Sequence, residues 1–425
     1  MSQLDASRKV SAYSGLMQIG WIDFAREDRA KAMGVLHLLQ ERVAVDELGF
    51  GIIRDAFANA FFPATSTIQT RAKYFLLVPY ILKEATGGKY GYSEKVVRAQ
   101  IDNLEYAAAK KMYGQNPDEP GLIGRTVLPR GWVARKPSDI YWNGIRELEI
   151  YKGECSFGEY ISGELAYCES KDKGLGKKRS SEDGTGDDED AGCSSPMGKL
   201  DVAALYSENW MASLKMDLTR EEAQYLENKI LNSARSKGTL FAQVLRERMD
   251  LSKFIAAAEG NATAVPFGLF SQSMAAHCDL SERNRHLMSI AGEFNNLVYT
   301  ARVLYNEMMG NETAGELWQA ILDSGLAGFA ALDIDDMLIS LELPRNPRYC
   351  IFLFAFRDAM RRGDEAAMRD AVETQERRLK QGRAKLRSGK YAPDKWIGGT
   401  WLDFRLGDAA RILNDVYKGL GVSPC

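Results

Sequence analysis

The sequence predicts a mainly α-helical protein with more than one domain and a candidate winged helix-turn-helix element. Three observations favour this class. Apolar residues recur at helical spacing in many windows along the 425 residues. Strands and helices do not alternate, and no glycine-rich phosphate loop is present, which disfavours a parallel α/β sheet. A charged segment poor in apolar residues divides the chain.

The composition is that of an ordinary globular protein, with 45% hydrophobic and 27% charged residues. A net charge of −3 excludes a global attraction to nucleic acid, so a nucleic-acid surface must be a local patch. No C-x-x-C pair occurs, and only His277 and Cys278 are adjacent, so we expect no metal and no cofactor. We also expect no membrane association and a cytoplasmic location, because neither a signal peptide nor a membrane-spanning apolar run is visible.

The charged segment at residues 169–197 is the predicted domain boundary. Its first half is basic, its second half is acidic, and it contains no aromatic residue. Such a segment buries too little apolar surface to offset the entropy of ordering, so it is predicted to be a flexible linker. We therefore expect an N-terminal helical domain at residues 1–168 and a C-terminal helical domain at residues 198–425.

Helical periodicity predicts the individual elements. In the N-terminal part we expect helices at residues 26–43, 51–61, 66–83, 93–113 and 138–147, the third one kinked by Pro79, and then short strands. In the C-terminal part Thr219 and Glu222 form a capping box that opens a helix. Further helices are expected at residues 281–309, 316–323, 347–362, 364–387 and 401–420.

The stretch at residues 46–80 contains the densest chemistry. Hydroxyl side chains precede the predicted helix that starts at Ser66, and free amides at a helix start together with the helix dipole favour an anion. The predicted anion site consists of Ser66, Thr67, Gln69, Arg71 and Lys73. The structural alternative is that the hydroxyls only cap a helix and that the cations pair with carboxylates inside the fold.

The same stretch supports an alternative enzymatic hypothesis. A nuclease or nucleotide-processing site would contain Asp46, Glu47, Arg54, Asp55, Ser66 and Arg71. Their spacing matches no nuclease signature, and no Walker, G-x-S-x-G or H-x-x-E-H pattern is present. A buried ion network has the same appearance in a sequence, so the structural alternative stays open.

Four blocks of sequence carry a family resemblance. They are WIDF at residues 21–24, DELGFGIIRDAF at 46–57, FFPATSTIQTRAKYFLLVPYI at 61–81 and RKPSDIYWNGI at 135–145. In these blocks the chain resembles DUF6361, a bacterial family of unknown function, although Ala64 stands where the family pattern has glycine after the proline. The resemblance implies a setting near helicases and other parts of prokaryotic anti-phage defence islands. It implies no catalytic residue.

Two basic segments are candidates for nucleic-acid binding. The first leads into the helix predicted from residue 138, with short strands after it, an order that resembles a winged helix-turn-helix. Its candidate contacts are Arg125, Arg130, Arg135, Lys136, Asn143 and Arg146. The alternative is that Tyr141 and Trp142 belong to the core and that the arginines are merely solvated.

The second basic segment lies near the C-terminus and can follow a phosphate backbone. Its candidate contacts are Arg377, Arg378, Lys380, Arg383, Lys385 and Arg387. A solvated helix face or a docking helix for an acidic partner is an equal alternative. Trp396 and Trp401 follow, either to stack on bases or to anchor the last helix.

Together these features lead to one preferred hypothesis and two alternatives. The preferred one is a non-enzymatic accessory component of an anti-phage defence system that binds DNA or RNA beside a helicase or effector. The first alternative is the enzyme with its site between Asp46 and Arg71. The second is a structural adaptor that binds only protein.

Overall fold

Helices make up the regular structure of the described residues, which in the computed structural model are 46–86, 93–178, 195–258, 265–386 and 395–424. The helix predicted at residues 26–43 and the candidate contact Arg387 lie outside these ranges. The α-helices up to the predicted linker are α1 Gly51–Phe61, α2 Tyr74–Thr86, α3 Glu94–Gln115, α4 Pro137–Glu147 and α5 Phe157–Lys178. The mainly helical class is therefore confirmed.

Eleven more α-helices follow in the described part of the chain. They are α6 Trp210–Ser213, α7 Arg220–Asn232, α8 Leu240–Arg246, α9 Leu251–Ala258, α10 Pro266–His277, α11 Glu282–Met308, α12 Glu312–Ser324, α13 Ile334–Ser340, α14 Pro347–Arg362, α15 Glu365–Lys380 and α16 Leu406–Leu420. Short 3-10 helices occupy Met197–Lys199, Leu326–Phe329 and Gln381–Arg383. Because α5 ends at Lys178, it extends into the segment predicted to be a linker.

Local capping explains several helix starts. The Oγ1 atom of Thr219 accepts a hydrogen bond from the Glu222 amide at 3.3 Å, and Glu222 accepts one from the Thr219 amide at 2.9 Å. This capping box was predicted and is confirmed. Ser281 caps the long helix α11 in the same way through the Asn284 amide.

The helix predicted at residues 66–83 begins eight residues later, at Tyr74, so that prediction was wrong at its start. Side chains distant in sequence bind the backbone N–H groups that a helix would have used. The Tyr141 hydroxyl accepts from the amides of Thr70 and Arg71, and Asp415 accepts from the amide of Ala72 at 2.7 Å. Residues 62–73 consequently form turns, and the helix starts only after them.

The winged helix-turn-helix is not confirmed. The short strands expected after α4 are replaced by one isolated bridge between Tyr151 and Leu200, and α5 follows from Phe157. Tyr151 packs against Trp142 and Tyr160, with ring centroids 5.0 and 5.5 Å apart. This aromatic packing holds the segment against the helices, where a wing would need a free hairpin.

The hydrophobic core joins residues from both sides of the charged segment. Phe57 of α1 lies 5.6 Å from Phe294 of α11 and 5.3 Å from Phe404 by ring centroids, and Phe404 lies 4.7 Å from Phe267 of α10. Residues 46–425 form one compact unit through such contacts. Within the described ranges, no helix combines the length and the apolar character that a membrane span requires.

Candidate nucleic-acid interface

Helix α4 is held in place by its aromatic residues. Tyr141 is fully buried between Tyr74 and Phe75, with ring centroids 5.2 and 5.1 Å away, and its hydroxyl donates to the Arg71 carbonyl. Trp142 donates from Nε1 to the Cys155 carbonyl at 3.2 Å. Both aromatics therefore belong to the core, as the structural alternative proposed, and Asn143 is left on the exposed face.

A buried carboxyl group supports the start of α4. Glu105 of α3 accepts a hydrogen bond from the Ser138 amide at 2.7 Å, and its second oxygen is buried without a partner. Burial raises the pKa of Glu105 to about 7, although the Ser138 hydrogen bond opposes the shift, and the charges of Asp139 and Asp102 add to it. The position of α4 is thus coupled to a group that titrates near neutral pH.

The loop before α4 packs on α3 and exposes arginines. The Trp132 indole donates to Asp102 at 3.0 Å, and the Tyr106 hydroxyl donates to the Pro129 carbonyl at 3.1 Å. Between and beside these anchors the side chains of three arginines are exposed, namely Arg125, Arg130 and Arg135. The loop is therefore attached through its aromatic neighbours, and its arginines are free to face solvent.

The six candidate contacts of this first segment fall into two groups. Arg125 makes a 4.0 Å ion pair with the exposed Asp118 and donates a 3.5 Å hydrogen bond to the Asp118 carbonyl, whereas Arg130 and Arg135 make no ion pair or side-chain hydrogen bond within the described residues. In contrast, Lys136 pairs with Asp102 at 2.6 Å, and Arg146 pairs with Glu154 at 3.3 Å. Positive charge is consequently available on the loop and largely neutralised on the helix.

The second basic segment divides in the same way. Arg377, Arg378 and Arg383 are exposed, whereas Lys385 and Lys380 lie 2.9 and 3.5 Å from Glu47. Burial acts to raise the pKa of Glu47, but the hydrogen bond from Lys385 and both lysine charges hold that pKa below its usual value. The two lysines therefore serve the fold.

The helix expected to carry this segment also ends early, at Lys380 instead of residue 387. Gln381 adopts a φ of 51°, and the buried Glu376 accepts hydrogen bonds from the amides of Lys385 and Leu386 at 2.8 and 3.1 Å. These bonds turn the chain back over the end of α15. The arginines consequently occupy a helix end and a turn, and a single positive helix is not formed.

Trp401 is stacked on Tyr299, with ring centroids 3.7 Å apart and planes 6° from parallel. It anchors the segment before α16 to α11, which is the second of the two roles considered for it.

The predicted anion site lacks the helix start on which it was based. Ser66 and Gln69 do interact, since the Ser66 amide donates to the Gln69 side chain at 3.1 Å, but they lie in a turn. Lys73 is buried, and its Nζ lies 2.7 Å from both carboxylate oxygens of Glu222. Thr67 is exposed beside them. The helix begins only at Tyr74, so it supplies no free helix-start amides at residues 66–69, and the charge of Lys73 is neutralised by Glu222.

Arg71 is the centre of an ion network. Its Nε donates to Asp415 at 2.9 and 3.0 Å, while Nη1 binds Glu119 and Nη2 lies 3.1 Å from Asp217. Burial acts to lower the pKa of Arg71, but these carboxylates, Asp415 foremost, raise it above the ordinary value. Three carboxylates around one guanidinium neutralise its charge and occupy most of its donors.

The charged residues of the enzymatic alternative are paired as well. Asp46 accepts from the amides of Leu48 and Phe50 at 3.1 Å each and lies 3.6 Å from Arg302. Arg54 pairs with Asp55 at 3.0 Å, and Arg405 approaches Asp55 at 3.5 Å. These are the internal pairs that the structural alternative predicts. Among the described residues, no group of three or more potential ligands could hold a metal ion.

A cavity of about 330 Å³ beside Arg71 is lined by Met112, Glu119, Met216 and Asp217 with their neighbours, and by none of the candidate catalytic residues.

The residues that sequence analysis missed are the partners of the predicted ones: Asp415, Glu119, Asp217, Glu222, Arg302 and Arg405. Most of them lie far along the chain from their partners, so no local pattern identifies them. The one available signal was Glu222, which belongs to a recognisable capping box.

No curated protein and no solved structure matches the chain. The model of a family of unknown function, DUF6361, matches residues 16–182, a range that contains all four sequence blocks on which the resemblance rested. Residues 16–182 are therefore similar to the DUF6361 family of unknown function, and this match covers less than half of the 425-residue chain.

Proposed function

We propose that this protein binds the phosphate backbone of DNA or RNA as a non-enzymatic component of a prokaryotic anti-phage defence system. The observation that carries the proposal is the unneutralised charge on the loop before α4. Arg125, Arg130 and Arg135 are exposed, and the one ion pair among them within the described residues joins Arg125 to the solvated Asp118 at 4.0 Å.

Charge availability distinguishes this loop from the candidate residues that are paired with carboxylates. A phosphate contact requires a cation that keeps its donors free, because a guanidinium already paired with a carboxylate gains little from a second anion. Arg71 and Lys73 do not meet this requirement because each is paired with a carboxylate. Arg146 is likewise paired with Glu154. Arg130 and Arg135 meet the requirement, and Arg125 interacts only with the exposed Asp118 within the described residues.

The mode of binding that this arrangement favours is independent of nucleotide sequence. Asn143 is exposed on α4, but the exposed residues near it include the acidic Asp139, which would face bases unfavourably. Phosphate contacts from a loop position a protein without reading bases. We therefore expect similar affinity for unrelated sequences and a steep dependence of affinity on salt.

The experiment is a fluorescence anisotropy titration of the full chain with duplex DNA, single-stranded DNA and RNA, at salt from about 50 to about 200 mM. The variant carries Arg125→Ala, Arg130→Ala and Arg135→Ala together. For duplex DNA the slope of log affinity against log salt should fall by up to about 0.9 for each arginine removed. Absence of binding to all three ligands at low salt would refute the proposal.

The matched control removes three exposed arginines elsewhere, through Arg220→Ala, Arg246→Ala and Arg283→Ala. Both triple variants change the net charge equally, so a general electrostatic effect would alter their affinities equally. Only a local phosphate contact predicts a larger loss for the loop variant. Equal losses in the two variants would assign the binding to net charge.

The defence setting is supported by the family resemblance alone, and a helicase or effector is the expected partner class. A phage challenge of cells that carry the gene with its neighbours tests it. Protection should fall with the loop variant and persist with the control variant. If the loop variant has lost nucleic-acid binding in vitro but still protects the cells fully, then nucleic-acid binding is not required for defence and this part of the proposal is wrong.

A further inference from the structure

The loop that carries the exposed arginines is fastened to one face of α3. This loop, residues 124–136, is called here the arginine loop. Asp102 of α3 accepts the hydrogen bond from the Trp132 indole at 3.0 Å, and Tyr106 of α3 donates to the Pro129 carbonyl at 3.1 Å. Asp102 and Tyr106 are four residues apart and therefore share a face of the helix. That face holds the arginine loop at two points.

Glu105 lies on the same face and holds the point where the loop ends. It follows Asp102 by three residues, which is about one helical turn. One of its carboxyl oxygens accepts the amide of Ser138, in the first turn of α4, at 2.7 Å. Glu105 is only 2% exposed, and within the described residues its second oxygen is buried without a hydrogen-bond partner. A charge on this carboxyl group would therefore have neither water nor a full set of donors.

The groups that face Glu105 add to the cost of ionising it. Asp139 of α4 and Asp102 of α3 bring negative charge, and α2 contributes the buried phenol of Tyr74. The charge of Lys136 is directed to Asp102, at 2.6 Å. Burial foremost, and then the two aspartates, raise the pKa of Glu105 to about 7, although the hydrogen bond from α4 opposes the shift. The protein accordingly gains and loses this proton near neutral pH.

We infer that Glu105 is a pH-sensitive switch for the arginine loop, which is held on α3 while the carboxyl group is protonated and is released when it ionises. An ionised Glu105 regains hydration when Ser138 and the end of the loop move off it. A released loop must be ordered again before its arginines contact phosphates, which lowers the affinity. The effect on affinity rests on the proposed nucleic-acid binding, whereas the release of the loop does not.

Hydrogen exchange of the full chain tests the release. The pKa of Glu105 is about 7 in the held state and near 4.5 once the group is hydrated. Exchange of the loop amides and of Ser138, corrected for intrinsic chemistry, should therefore rise on the order of tenfold between about pH 6 and about pH 8. These amides should also exchange faster than those of α11, because the release is a local opening that leaves the core helix folded.

Two variants assign the effect. Glu105→Gln cannot ionise and keeps an oxygen acceptor for the Ser138 amide, so its loop should stay protected at both pH values. Glu94→Gln changes an exposed carboxyl group of α3 and should behave as the wild type does. The same rise in wild type and Glu105→Gln would overturn the inference. Loop amides as protected as those of α11 at the higher pH would overturn it too, since the loop would then move only with global unfolding.

Fluorescence anisotropy with duplex DNA at fixed salt tests the consequence for binding. From the lower to the higher pH, the affinity of the wild type should fall further than that of Glu105→Gln. Equal pH dependence in these two proteins would refute the control of binding by Glu105 and leave the proposed function intact. Absence of binding at both pH values would refute the proposed function, and the exchange measurement would then decide whether the loop is released.

Discussion

The carboxylate of Asp415 lies 2.9 Å from Nε of Arg71, although 344 residues separate the two in sequence. The same carboxylate accepts the Ala72 amide at 2.7 Å, so one side chain of the last helix, α16, fixes the turn that precedes α2. Burial raises the pKa of Asp415, although Arg71 opposes the shift through a hydrogen bond and its charge. The family-matched part of the chain is therefore tied directly to its C-terminal helix.

Removing Arg71 should strongly destabilise the protein. Arg71→Met leaves the half-buried Asp415 and Glu119 without their cation, and breaking a fully buried pair, which sets the upper limit, typically costs about 3–5 kcal/mol. The measurement is the free energy of unfolding by denaturant titration. Lys418→Met is the control, because it breaks an exposed pair with Asp217 and should cost less than about 1 kcal/mol. Similar losses in both variants would contradict a buried structural role for Arg71.

Glu105 should make stability depend on pH. Its pKa is about 7 in the folded protein and near 4.5 in an unconstrained chain, so between these values the folded state retains a proton that the unfolded state has released. The stabilisation is fully present below about pH 4.5 and is lost as the pH rises through about 7. Stability should then level off at higher pH.

The test for Glu105 compares wild type with Glu105→Gln, which keeps an oxygen acceptor for the Ser138 amide. The wild-type free energy of unfolding, relative to the variant, should fall by no more than about 3 kcal/mol across this pH window. Glu94→Gln on the exposed face of α3 is the control variant. A difference between wild type and Glu105→Gln that stays constant with pH would exclude the titration of Glu105.

Replacement of Ala64 by glycine should stabilise the folded protein. It is buried and has a φ of 69°, a backbone region that costs a residue with a Cβ atom about 1–2 kcal/mol. Ala64→Gly should raise the free energy of unfolding by about 0.5–1 kcal/mol, since the greater freedom of glycine in the unfolded chain offsets part of the relief. Ala58→Gly within α1 should instead destabilise by about 1 kcal/mol. A destabilised Ala64→Gly variant would show that the alanine is not strained.

The exposed arginines and the paired lysines of the C-terminal basic segment should respond differently to substitution. Arg378→Ala with Arg383→Ala should weaken nucleic-acid binding and leave unfolding unchanged, because both side chains are exposed. Lys380→Ala with Lys385→Ala removes the same charge but leaves Glu47 without these two partners, which should cost about 1–3 kcal/mol of stability. Anisotropy and denaturant titrations measure the two effects. Equal behaviour of the pairs would contradict this division.

Some features of the candidate sites follow from local sequence. The burial of Tyr141 and Trp142 was one of the two alternatives that the sequence left open. Burial of both side chains is favourable because large aromatic side chains gain much free energy when they leave water. The family pattern also identified position 64, where the expected glycine corresponds to a positive φ. The boundary at residues 169–197 stays a prediction, as does the binding of nucleic acid.

The sequence by itself determined the helical class and the capping box of α7, and it carried the family resemblance, because each depends on residues within a few positions of one another. Only the tertiary structure decided which charges remain available. Arg71 and Arg135 are both arginines next to a lysine or within two residues of one. In the structure Arg71 pairs with Asp415, whereas Arg135 is exposed to solvent. That difference arises from packing between distant segments, which brings a carboxylate to one cation and none to the other.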